Sequence, residues 1–239
     1  SIGTDGGGSV RIPCSFSGLF GLKPTFGRIP AYPLSPFGTV ANLGPITRTV
    51  KDAAMMMNII AKPDVKDWFS IPINCNDYLD YISKDIKGIR LGYTFDWGMS
   101  KYLGSNNLDS EVIEAVEDTI ESLKAYGIII EKIDINWPNE PYPIFKAIWE
   151  SGAANLYRKL RDDQKENVEF TFLDFSNRGK DYTLFDLMDI EAARAENSSY
   201  FSKILEKKYT AIIGPTMPIV AFDAHRNVPN GWPEKDIFS

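Results

Sequence analysis

The run Asp5-Gly6-Gly7-Gly8-Ser9-Val10-Arg11 constrains this chain more than any other feature. Each glycine inside a helix or strand would cost about 0.5–1 kcal/mol relative to alanine. Three in a row therefore predict a loop, serving as a tight turn, a phosphate cradle or a nucleophile loop. A phosphate-binding loop ends in Gly-Lys-Ser/Thr, but Ser9 follows Gly8 with no lysine. A dinucleotide fingerprint opens a long helix, and Pro13 is expected to break a helix there. The nucleophile reading fits better. Without a Cβ, neighbouring amides can converge on one point, which is what a developing oxyanion needs. A serine directly after them can attack the carbonyl whose oxygen they hold. The loop is not the G-x-S-x-G elbow, because Arg11 stands in place of the second glycine.

A serine nucleophile needs a base. The sole histidine, His225, lies in a polar, proline-flanked stretch and reads as a surface residue. A serine enzyme this poor in histidine points to lysine as base. Lys23, in Gly21-Leu22-Lys23-Pro24, reads as a turn residue and not as that base.

Residues 3–48, rich in Gly, Pro and Ser, predict loops and short strands around a site. Residues 49–62 predict a helix, opened by Thr49 with Asp52 three residues on and closed by Pro63. Ala53, Met56, Met57 and Ile60 follow at helical spacing. Residues 89–95 read as a strand and 109–127 as an amphipathic helix, with Asp109 as N-cap and Gly127 just past its end. Residues 128–133 read as a return strand, so the unit predicts parallel pairing with a right-handed crossover. Further helices are expected over 143–162 and 184–208, and a last strand over 209–218. Interleaved helices and few strands predict an α/β fold over residues 1–239, taken as a single domain.

A net charge of −6 argues against nucleic acid as a partner. No apolar run reaches the roughly 18 residues of a membrane span. Two cysteines, Cys14 and Cys75, with one histidine cannot assemble the usual zinc site, so no metal or cofactor is expected. They predict reduced thiols in a cytoplasmic protein.

The stretch from Gly3 to Pro30, GTDGGGSVRIPCSFSGLFGLKPTFGRIP, resembles the core of the amidase signature family. The likeness continues through SPFGTVANLGPITRTVKDAAMMM and returns in YTAIIGPTMP. It is dense over residues 1–60 and sparse in the middle. Cys14 replaces the family's usual alanine, and Ser17 stands where cysteine is frequent; both are small swaps. The resemblance implies a mixed β-sheet flanked by helices, a Ser–cis-Ser–Lys triad and amide hydrolysis through an acyl-enzyme. It makes Ser9 the nucleophile and assigns the oxyanion hole to the amides of Gly6, Gly7, Gly8 and Ser9. Asp5 and Arg11 would hold the loop in shape. The family's lysine and cis-serine lie upstream of the nucleophile, at positions this chain does not contain. It therefore reads as an internal and C-terminal piece, incomplete at both ends, whose partner is the remaining N-terminal portion. The expected substrate is a small-molecule amide. The ammonia-producing component of a glutamyl-tRNA amidotransferase is one alternative, and a catalytically incompetent fragment is another. Trp97, Phe145, Ile148 and Trp149 are candidates for the substrate pocket, though core packing explains each as simply.

Overall fold

A computed structural model describes residues 1–72, 77–103, 108–226 and 228–231. Cys75 lies outside the described residues. The first part of the chain builds an antiparallel sheet from β1 (Ile2–Asp5), β2 (Phe20–Gly21) and β3 (Asn42–Thr47), in the order β1-β3-β2. The register pairs Asp5 with Asn42 and Ile2 with Pro45. Gly44 is required in β3, because a Cβ there would lie 2.1 Å from the Leu22 carbonyl oxygen.

Between β1 and β2 runs a short helix, α1 (Arg11–Ser17), where the sequence predicted only loop and strand. Pro13 does not prevent it. It stands third in the helix, where its missing N–H would have no intrahelical acceptor. Gly18, with φ of 63°, closes the helix in the left-handed conformation that glycine tolerates.

Helix α2 (Val50–Ile60) follows β3. As the sequence predicted, Thr49 caps it, accepting from the Asp52 amide at 3.1 Å. Its inner face carries Ala53, Ala54 and Met57. Met57 joins Ile29 and Ala61 in a core cluster against Leu22, Leu43 and Ile60. Met55, by contrast, is half exposed.

The second part builds a parallel sheet from β4 (Arg90–Tyr93), β5 (Ile129–Lys132) and β6 (Ala211–Ile213), in the order β5-β4-β6. The predicted parallel pairing of residues 89–95 with 128–133 is present, Leu91 facing Ile130. The expected α/β class holds, with antiparallel and parallel pairing carried by two sheets. Strand β6 is shorter than the expected 209–218. At Gly214 a Cβ would lie 2.4 Å from the Thr94 carbonyl oxygen, and Pro215 follows without a donor.

Helix α3 (Ser100–Leu103) is a single turn after β4, and α4 (Ser110–Ala125) links toward β5. Gly127, φ of 93°, ends α4 as expected. Asp109 corrects its expected role. Its carboxylate does not cap α4 but accepts from the Val220 amide at 2.9 Å, tying the helix start to the segment beyond β6.

Helices α5 (Pro141–Tyr157), α6 (Asp162–Lys165), α7 (Phe170–Arg178) and α8 (Leu184–Lys208) complete the described elements. Helix α5 begins and ends earlier than the predicted 143–162; α8 matches its predicted span. The buried Glu150 joins α5 to α7, pairing with Arg178 Nε at 2.6 Å and accepting from the Tyr182 hydroxyl at 3.0 Å. Burial and the adjacent carboxylate push the Tyr182 phenol up to about 12. Among the described residues, no helix is long and apolar enough to cross a membrane.

Candidate active site

The glycine run leaves the end of β1 and turns back on Asp5, whose side chain is fully buried. One Asp5 oxygen accepts from the Gly8 amide at 2.7 Å, the other from the Val10 amide at 3.3 Å. Arg11 closes the turn from outside. Its Nε and Nη2 each reach one carboxylate oxygen at 2.9 Å, a planar fork on a planar acceptor. Burial alone would raise the Asp5 pKa. The hydrogen bonds and charge of Arg11, with the Gly8 and Val10 amides, outweigh it and hold the carboxyl at about 2. The expected loop-supporting pair is thus brought together.

A depressed carboxyl pKa stabilises the fold above the unfolded value of 3.8 and loses that contribution as pH falls through about 2. Asp5→Asn lacks the contribution. The gap in thermal midpoint between wild type and Asp5→Asn is therefore full near neutrality and shrinks between about pH 4 and pH 2. Melting curves across that range check it; a gap that stays constant to pH 2 contradicts it.

The turn sets Ser9 at the surface, just before α1, with the Gly8 carbonyl accepting from the Ile12 amide at 2.7 Å. Gly8 has φ of 121°, and a Cβ on it would meet Ile12 at 2.6 Å. Among the described residues, the amides of Gly6, Gly7 and Ser9 have no hydrogen-bond partner, whereas that of Gly8 is spent on Asp5. This narrows the expected four-amide oxyanion hole. Three amides are free to face an oxyanion, and the fourth shapes the loop.

Helix α5 packs against the outside of the run. A Cβ on Gly7 would lie 2.8 Å from the Phe145 ring, and one on Gly6 3.1 Å from Trp149. Trp149 stacks on Phe37 with ring centres 4.2 Å apart. Gly152, one turn along α5, leaves room for Phe37, since a Cβ there would meet that ring at 2.5 Å. Thr39, beside Phe37, is held by Arg194 of α8 through its hydroxyl and carbonyl.

Ser9 opens into a cavity of about 440 Å³, bounded also by Gly6, Tyr32, Phe37, Leu43 and Trp149. Of the predicted pocket residues, only Trp149 lines it. Phe145 and Ile148 line a neighbouring cavity of about 300 Å³. Trp97 sits past β4, donating its ring N–H to the Pro215 carbonyl at 2.9 Å. Phe37 and Tyr32 are additions that the sequence did not single out; the proline-rich stretch Ala31–Pro36 before Phe37 was the available signal for a stiff wall.

Lys23 is half-buried, and burial, then the Arg11 charge, lowers its pKa. Its ammonium donates to the Pro24 carbonyl at 3.0 Å, and it does not line the Ser9 cavity. His225 is exposed, as expected.

The family model for Amidase matches residues 1–233. This chain belongs to the amidase signature family. Its glycine-serine loop is the part of the family pattern that the geometry above describes. The GatA-type component of the glutamyl-tRNA(Gln) amidotransferase of Streptococcus pyogenes serotype M49 (strain NZ131) is 31% identical, covering 93% of this chain and 49% of that protein. Among solved structures, a bacterial aryl acylamidase of the family superposes with a TM-score of 0.77 at 21% identity, over 92% of this chain and 46% of that one. The corresponding glutamyl-tRNA(Gln) amidotransferase component from Thermotoga maritima gives 0.70 at 26% identity, over 94% and 48%. The chain spans about half the length of the curated relatives it matches.

Proposed function

We propose that this amidase-family chain carries the nucleophile and oxyanion-binding amides of an enzyme that hydrolyses a carboxamide C–N bond. The observation behind this reading is the loop closed on Asp5. It presents Ser9 to an open cavity and leaves the Gly6, Gly7 and Ser9 amides uncommitted. Ser9 Oγ bonds to the carbonyl carbon, and the carbonyl oxygen takes the negative charge in front of those amides. The C–N bond then breaks, the amine leaves with a proton, and water cleaves the ester. The proton would be carried by a lysine and a cis-serine from the N-terminal portion of the same protein, as the family resemblance implies. The reaction so written consumes an amide and water, without metal or cofactor. The buried free thiol of Cys14 supports a cytoplasmic setting.

The names of the 31%-identical relatives favour a second reading, in which the serine releases ammonia from glutamine for a partner protein. Treating the full-length protein with a fluorophosphonate and mapping the adduct tests the assignment. Label is expected on Ser9 and is absent in Ser9→Ala. Label on another serine overturns it; no label at all supports the incompetent-chain reading.

A further inference from the structure

We infer that the Ser9 cavity takes an amide flanked by an uncharged, flat group, an aryl amide above all, and rejects zwitterionic amino-acid amides such as glutamine. The inference rests on the proposed role of Ser9 and deepens it.

The cavity has the size of a small-ligand site. Its wall beside Ser9 is aromatic. Trp149 is held between the backbone of Gly6 and the ring of Phe37, so its position is fixed before a ligand arrives. A flat group can lie against such a wall without ordering any side chain, which keeps its binding cost low. Tyr32, Pro30, Pro33 and Leu43 extend the apolar surface.

Among the described residues lining the cavity, none is Asp, Glu, Lys or Arg. The nearby charges are engaged elsewhere. Asp5 is buried beneath the loop and satisfied by Arg11. Asp67 lies behind Ala31 and accepts from the Ala31 and Phe69 amides, each at 2.9 Å. Lys23 is turned to Pro24, and Arg194 to Thr39 and Glu191. Glutamine carries an ammonium and a carboxylate on the carbon farthest from its amide. In this cavity both would shed water and meet only the neutral polar groups of Thr4, Ser35 and Asn42. Ionised groups so placed are disfavoured unless paired.

Calorimetric titration of the full-length protein as Ser9→Ala, which binds without turnover, tests this. The probes are benzamide, with its ring on the carbonyl side, acetanilide, with its ring on the nitrogen side, and L-glutamine. At least one aryl amide is expected to bind more than about tenfold tighter than glutamine. Adding Trp149→Ala should weaken aryl binding about tenfold, while Trp149→Phe keeps it within about threefold. The tighter aryl probe identifies which side of the amide enters the cavity. Should Trp149→Ala melt far below its parent, Phe37→Leu replaces it with the same expectation. Three results overturn the inference: glutamine binding as tightly as both aryl amides, no binding by any probe, or aryl binding indifferent to loss of the wall. Aryl binding without fluorophosphonate label on Ser9 sinks the nucleophile and spares the cavity. Label on Ser9 with glutamine preferred does the reverse.

Discussion

Ser9→Ala in the full-length protein is expected to lower amide kcat by about 10⁴-fold or more. Nucleophile, base and oxyanion donors act as one unit, so removing the attacking atom removes nearly all their joint effect. What survives is the contribution of binding and of the amides, about 10³-fold over water in comparable serine enzymes. The substrate's apparent affinity should change little, because alanine removes a single oxygen from a cavity wall built chiefly by Phe37, Tyr32 and Trp149. Steady-state ammonia or amine release, with wild type and variant prepared in parallel, gives the answer. A loss below tenfold would mean that another atom makes the attack.

The largest expected effect on stability is at Asp5. Asp5→Ala removes the acceptor for the Gly8 and Val10 amides, both on buried residues, and for the Arg11 fork. Each buried amide left without a partner costs about 1–3 kcal/mol, and the lost side chain adds a void. A total of about 3–5 kcal/mol is expected, a large share of an ordinary domain's stability. Arg11, being half exposed, can turn to water and adds little to that sum. Asp5→Asn keeps the shape and one acceptor, and should fall between wild type and Asp5→Ala. Chemical denaturation of the three proteins ranks them; equal midpoints for wild type and Asp5→Ala would deny the carboxylate its place at the centre of the loop. Turnover should fall in the same order, since the same hydrogen bonds aim the Gly8–Ser9 turn.

The loop was legible in the sequence because its chemistry needs contiguous residues of fixed type. Three glycines, a serine, and an acid and a base on either side leave few other uses. Helices α2 and α4 were legible for a similar reason: Thr49 with Asp52, and Gly127 past the last turn, are local signals. What failed was nonlocal. Asp109 looks like a cap in sequence, yet its carboxylate is claimed by Val220, more than a hundred residues away. Helix α7 is obscure in sequence because Phe170, Phe172 and Phe175 blur the helical period with bulky residues on more than one face. Pro13 reads as a breaker only while its early place in the helix is unknown. The cavity wall could not be read at all. Phe37 comes from a turn after β2 and Trp149 from α5, and only packing brings them face to face.

That packing has a consequence for how the protein can change over generations. Phe37 occupies the space that a side chain at position 152 would need. The two positions draw on one fixed volume, though they lie far apart along the chain. A lineage that enlarges residue 152 must first shrink residue 37, and in doing so it opens the wall beside Trp149. Intermediate sequences with both residues large do not pack. Lineages can thus arrive at a roomier cavity through an order of steps set by a helix glycine that no ligand touches.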